Sequence, residues 1–257
     1  MELLNFEIYS PKYLGSREAA EFCINILKGL PKSYWPTKCR TSSISSRPFQ
    51  FEKPESFFDL VPGKMQFEGD VSLYKTKNIF KFWILWSKGD RSWFENHPTK
   101  PFNIIGFETN RVHQCINNPE EFVHLKNIWL NMCIKFKAVY AYIFVQDATS
   151  IPKDKGFGFC IPRLHWITLL GKEYCEILKE IINKKIEGLN VSCVSDAAIL
   201  EVCKNPFEIS QPNEFEKSLI MRLGEDIFWS EGKWHGKPRK NYRIPNIDWS
   251  DIFFENG

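Results

Sequence analysis

IPRLHWITLLGKEYCEIL, Ile161 to Leu178, brings a histidine, a tryptophan and a cysteine into a few turns of chain, with Cys160 just before it. As chemistry, the stretch offers a thiol beside an imidazole. As scaffold, it reads as two elements. In RLHWITLLG the side chains alternate as in a strand, with His165 and Ile167 on the face opposite Leu164 and Trp166. In KEYCEILKEII, Tyr174, Ile177, Leu178 and Ile181 fall on one helical face. Gly171 joins the two, where a small residue permits a sharp reversal that a β-branched one would obstruct. A strand feeding directly into an amphipathic helix decides the fold class if the same grammar recurs.

It recurs at the start of the chain. Leu4, Phe6 and Ile8 alternate as in a half-buried strand, and Phe22, Cys23, Ile26, Leu27 and Leu30 then follow at helical spacing. Ser16 is placed to cap that helix, and Gly29 and Pro31 mark its end. The stretch from Pro36 to Glu55 is rich in Ser, Pro and Lys and reads as a long loop. Strand-like runs at Phe67 to Tyr74, Ile79 to Trp86 and Phe102 to Phe107 read as an antiparallel meander. In the middle run Phe80, Phe82, Ile84 and Trp86 share one face and Trp83 and Leu85 the other, so both faces are expected to be covered.

Asn118, Pro119 and two glutamates open the clearest helix, because a cap, a proline at the first position and acids all suit the positive end of a helix. Phe122, Leu125, Trp129, Met132, Cys133 and Phe136 follow at helical spacing. AVYAYIFVQD, Ala138 to Asp147, is a strand apolar on both sides. LNVSCVSDAAILEVCK reads as a hairpin turning near Ser195 and Asp196, and NEFEKSLIMRLG as a last helix ended by Gly224. The expected architecture is α+β: a mixed, mainly antiparallel sheet with about four amphipathic helices. The 257 residues are read as one α+β domain with a basic, aromatic tail from about 230 to 257; two similar α/β halves meeting near Ala138 to Asp147 are a variant of it.

Composition bounds the function. A chain of 30.2 kDa that is 43% hydrophobic and 15% aromatic buries a sizeable core unaided. It has no apolar run of the roughly 20 residues that span a bilayer, and its first residues do not read as an export signal. The expectation is cytoplasmic, with the eight scattered cysteines as reduced thiols. A net charge of +3 and a pI near 8.3 are too mild to imply nucleic acid on their own.

The motifs are weighed against that background. Paired zinc ligands such as CxxC or HxxxH are absent, so no metal site is expected, and Cys160 and Cys175 are read as small apolar fillers. No phosphate-cradling loop or nucleophile elbow occurs, and no cofactor is expected; the glycines of KGFGFC precede a strand. An enzyme would draw on Cys160 with His165, or Asp147 with His165. A nucleic-acid binder would use GKWHGKPRKNYR, Gly232 to Arg243, where aromatic and basic side chains interleave. The bland reading of that stretch is a solvated tail.

The order of the elements and the residues that fill them resemble the bacterial immunity proteins of polymorphic toxins and type VI secretion, of the kind typified by immunity protein 52. The resemblance runs through FEIYSPKYLGSREAAEFCINIL, KAVYAYIFVQD, IPRLHWITLLGKEYCEIL with its proline, tryptophan, glycine and tyrosine pattern, and ILEVCKNPFEI followed by IMRLGEDIFW. It covers most of the chain. The Ser-rich loop at Thr41 to Ser46, the segment GDRSWFENHPTK and the basic tail have no counterpart in it. The resemblance implies a non-catalytic protein that neutralises a cognate toxin by steric blocking, with His165 as scaffold. Trp, Tyr and Arg dominate binding hot spots, and rim charge speeds encounter. The expected contact residues are therefore Trp93, Lys233, Trp234, His235, Arg239, Lys240 and Arg243, engaging an acidic patch on the toxin.

Overall fold

The computed structural model describes residues 2–61, 68–76, 79–89, 103–146, 160–209, 213–228 and 242–253. The elements follow the order β1 (Leu3–Ser10), α1 (Arg17–Leu27), β2 (Lys38–Arg40), β3 (Arg47–Pro48), α2 (Glu55–Phe58), β4 (Glu68–Tyr74), β5 (Lys81–Ser87) and β6 (Asn103–Thr109). They continue with α3 (Val112–Asn117), α4 (Pro119–Lys135), β7 (Tyr140–Gln146), β8 (Ile167–Leu170), α5 (Lys172–Ile182), β9 (Leu189–Val194), β10 (Ala197–Val202) and α6 (Glu214–Leu223). The fold is α+β. The strands form one ten-stranded sheet in the order β3-β2-β4-β5-β6-β1-β7-β8-β10-β9, and every described pairing in it is antiparallel.

The local chemistry explains the long elements. The Ser16 side chain accepts from the Ala19 N–H at 3.2 Å and Asn213 from the Glu216 N–H at 2.9 Å, so α1 and α6 begin on side-chain caps. Asn118 accepts from the Glu121 N–H, with Pro119 in the first turn of α4. Gly224 ends α6 at φ 107°, a conformation that costs a residue with a Cβ. Ser195 at φ 54° and Asp196 make the turn between β9 and β10. The stretch read as a loop before α2 contributes the short strands β2 and β3, which extend the sheet beyond β4. Period-2 patterning has too few residues in elements of three and two positions to show them.

The connectivity repeats. β1 leads into α1 and then to the meander β4–β5–β6, whose last strand returns to pair with β1; helices follow. β8 leads into α5 and then to β9–β10, whose last strand returns to pair with β8; α6 follows. β7 lies between β1 and β8, the position expected for the meeting of two similar halves. The helices of the two halves cover opposite faces. Ala141, Ile143 and Val145 of β7 join one core with Cys23 and Leu27 of α1 and Trp129 and Met132 of α4. Tyr140, Tyr142 and Phe144, on the alternate positions, join the other with Tyr174 and Leu178 of α5 and Leu219 and Leu223 of α6. β7 is therefore buried on both sides, as its unbroken apolar run requires.

Gly171 serves the joint between β8 and α5 by a different device from the one its position implied. Its φ of −66° is ordinary, but a Cβ there would sit 2.3 Å from the Ala138 carbonyl oxygen and 2.9 Å from the Val139 Cα. The requirement is close backbone approach, sealed by the Gly171 N–H donating to the Val139 carbonyl at 2.8 Å.

Residues 242–253 form a strap across the molecule. Arg243 donates from its side chain to both carboxylate oxygens of Asp226 and, at 3.1 Å, to the Ile177 carbonyl. Further on, Asp251 pairs with Lys12 at 2.6 Å, Ile252 is fully buried, and its carbonyl accepts from the Gly89 N–H at 3.0 Å. This part of the tail is bound to both halves.

Candidate partner-binding surface

The helices leave one region of sheet uncovered among the described residues. On β2, β4, β5 and β6 the face toward α1 and α4 is filled by Cys39, Val71, Leu73, Phe82, Ile84, Trp86, Ile105 and Phe107. The alternate face has no helix over it there. Strand register lays out its rows: Arg40, Ser72, Trp83 and Gly106 in one, Lys38, Tyr74, Lys81 and Glu108 in the next, and Asp70, Leu85 and Ile104 in a third. The expectation that both faces of β5 are covered is thus corrected: Leu85 is 40% exposed and Trp83 half-buried. The signal was present in β4, where Asp70 and Ser72 alternate with Val71 and Leu73, the pattern of a sheet face turned to water.

Trp83 is held flat. Its indole lies across Gly106 on the neighbouring strand, where a Cβ would meet Cζ2 at 2.3 Å. The Lys81 ammonium stands 5.2 Å above the ring, and the Arg40 guanidinium 5.3 Å above Tyr74. Lys81 also lies 3.9 Å from Glu108, whose carboxyl is pushed above the usual range by burial, with Lys81 acting against that shift. Arg40, Asp70, Ser72, Lys81, Trp83 and Leu85 line a shallow depression of about 500 Å³. Rigid strands thus present an aromatic plane and an arginine, residue types enriched among binding hot spots, beside an exposed leucine and a lysine.

The segment containing Cys160 and His165 is assembled differently from a thiol–imidazole pair. β8 begins only at Ile167, so His165 precedes the strand. Its ring does not share a face with Ile167; it stacks on Tyr142 at 4.0 Å and tilts against Phe144 at 5.0 Å. The backbone N–H of His165 donates to Thr168 at 3.0 Å, while Nε2 is buried with no hydrogen-bond partner among the described residues. Burial first, and then the positive charge of Arg163, hold its pKa well below the ordinary value. Cys160 has other neighbours, Asp226 and Tyr174, and burial pushes its thiol up to about 12. Beside them Arg163 and Glu216 form a buried ion pair at 2.8 Å, with Glu216 also accepting from the Leu164 N–H and Arg163 donating to the Ile209 carbonyl. Asp147 lies outside the described residues.

The expected contact residues divide in the same way. Trp93, Lys233, Trp234, His235, Arg239 and Lys240 lie outside the described residues. Arg243 is engaged within the chain, its charge matched by Asp226, whose carboxyl that hydrogen-bonded pairing holds below its usual range. All eight cysteines are free. Among the described residues no cluster of three or more His, Cys, Asp or Glu is placed to hold a metal, and no helix is long and apolar enough to cross a membrane.

No protein-family model matches the sequence, and no curated protein does. Among solved structures the chain is similar to a Pseudomonas aeruginosa type VI secretion system protein, PA0821. The TM-score is 0.48 at 12% identity, over 78% of this chain and 68% of that one, and a likeness at this level carries no argument about function.

Proposed function

We propose that the chain is an immunity protein that binds a cognate protein toxin and blocks it sterically, without a catalytic step of its own. The observation that carries this reading is the helix-free sheet face on which Trp83 lies fixed over Gly106 beside the exposed Leu85, with Arg40 and Lys81 at hand. It is a surface prepared for another protein: a flat aromatic anchor costs little ordering entropy on binding, and the cations favour an acidic patch opposite. The sequence resemblance to toxin-immunity proteins supports the same reading. The eight free thiols suit a reducing cytoplasm. The basic tail, with Lys233, Trp234, His235, Arg239 and Lys240, supplies further cations to the same encounter.

The test is co-expression with the toxin encoded beside this chain, followed by calorimetry on the purified pair. Cells survive the toxin only when the chain is present. Trp83→Ala combined with Leu85→Ala weakens binding by about 2 kcal/mol or more, roughly thirtyfold, in a variant with an unchanged circular dichroism spectrum. Unaltered affinity in that folded variant moves the contact surface elsewhere, and toxicity undiminished by the wild-type chain refutes the function.

A further inference from the structure

Accessibility sorts the eight free thiols. Cys23, Cys39, Cys115, Cys133 and Cys160 are buried, Cys175 is half-buried, and Cys193 and Cys203 are exposed. Two of the three that solvent reaches share one place. Cys175 on α5 and Cys193 on β9 line the same cleft of about 260 Å³, with Lys179 and Asn183 on its helix side and Ala197 and Ala198 on its sheet side. The Cys175 thiol donates to the Leu170 carbonyl at 3.4 Å, Leu170 pairs with Ala198 between β8 and β10, and Ala198 pairs with Cys193 between β10 and β9. Directly opposed residues of an antiparallel pair hold their Cβ atoms about 5 Å apart, so Ala198 and Cys193 stand side by side under α5. Burial first pushes the Cys175 thiol up to about 11; a hydrogen bond from the Ala198 backbone opposes that shift, and the nearby Cys193 adds to it. One alanine thus parts the two thiols, and its methyl group is the smallest side chain a Cys175 sulfur could have to pass. Cys203 follows Val202, which pairs with Leu189 at the other end of β9.

We propose that Cys175 and Cys193 are a peroxide-responsive thiol pair that closes into a reversible disulfide and clamps α5 to the edge strand β9. Hydrogen peroxide is the oxidant. The exposed Cys193 sulfur attacks one peroxide oxygen and the O–O bond breaks; the thiol proton leaves with the departing hydroxide as water, and Cys193 becomes a sulfenic acid. The Cys175 sulfur then attacks the Cys193 sulfur, the S–OH bond breaks, and hydroxide leaves with the Cys175 proton as a second water. Two thiols together lose two electrons, and one peroxide is reduced to two waters. Half-buried and protonated at neutral pH, Cys175 is a poor first target for peroxide, but it has only to turn within the cleft to meet a sulfenic acid held beside it. β9 lies at the far end of the sheet from β2 and β4, so the clamp is separate from the Trp83 face.

Peroxide titration of the folded full chain, followed by denaturation and non-reducing peptide mass mapping, measures the outcome. It is run on the wild type and on Cys203→Ser, which removes the other exposed thiol. In Cys203→Ser the product is a single chain lighter by two hydrogen atoms, with Cys175 and Cys193 in one cross-linked pair of peptides, and dithiothreitol restores both thiols. Adding Cys175→Ser stops the reaction at a Cys193 sulfenic acid, one oxygen heavier and trapped by dimedone. Adding Cys193→Ser leaves the remaining thiols unchanged at the same dose. A Cys193 sulfenic acid that accumulates while Cys175 is intact overturns the proposal. So does a disulfide that joins two chains, or a Cys175 and Cys193 still reduced in wild type at a dose that oxidises Cys203. The wild-type map decides the question even where a serine variant fails to fold.

Discussion

His165 shows how one side chain changes meaning between sequence and structure. Beside Cys160 and Trp166 it reads as a candidate base; in the fold it is a flat ring stacked on Tyr142, neutral because burial and Arg163 both disfavour its charge. Its folded pKa lies below the unfolded value of about 6.5, so its neutrality leaves stability unaffected well above that pH. As pH falls below about 6.5 only the unfolded chain takes up the proton, and stability drops by up to about 1.4 kcal/mol per pH unit until the folded pKa is reached. His165→Phe keeps the stacking and removes the titration. Between about pH 7.5 and about pH 5.5, denaturant unfolding is expected to show the wild type losing about 1 kcal/mol more than the variant. Equal losses would mean that His165 takes up its proton as readily in the folded state as in the unfolded one. Spacing gave no access to this, because the rings that surround His165 come from β7.

The joint at Gly171 belongs to the scale of elements. RLHWITLLGKEYCEIL made the strand-to-helix passage legible, and the helix face of Tyr174, Ile177, Leu178 and Ile181 points as periodicity requires: Tyr174 and Leu178 are buried and the two isoleucines pack against them. The reason for the glycine lies elsewhere in the chain, in the Ala138 and Val139 backbone that passes against it. Gly171→Ala forces that backbone to move and is expected to cost about 1–3 kcal/mol, the range for overpacking a tight site, read as a lowered denaturant midpoint with an unchanged m-value. A midpoint that does not move would show that the joint is loose. β5 makes the complementary point. Its alternation was plain, but the identity of its covered face depended on where α1 and α4 came to rest, and Leu85 was left exposed beside a half-buried Trp83.

At the scale of the whole molecule, one sheet carries two cores on opposite faces, and the strap 242–253 binds across it. Ile252 anchors the far end of that strap, fully buried, with its carbonyl on the Gly89 N–H. Ile252→Ala removes buried methyl groups of a kind whose loss costs about 2–5 kcal/mol in a core. In a segment free to detach, the cost appears as local release. Hydrogen exchange at the Gly89 amide is the measurement: protection is expected to fall there while the amides of β7 keep theirs. Joint loss at both places would make the strap part of the global unfolding unit.

What the sequence determined by itself is whatever is written within a dozen neighbouring residues: the caps at Ser16, Asn118 and Asn213, the stop at Gly224, the turn at Ser195 and Asp196, the doubly apolar β7, and hence an α+β fold with a largely antiparallel sheet. Capping and periodicity act through local hydrogen bonds and the 3.6- and 2-residue repeats, so they survive in the linear order. Tertiary structure alone decided that α1 and α5 lie on opposite faces, that Trp83 lies across Gly106, that Arg243 is spent on Asp226, and that β9 is the last strand of the sheet among the described residues. Each of these joins residues far apart in the chain, and which of them meet is settled only when distant apolar faces find mutual burial.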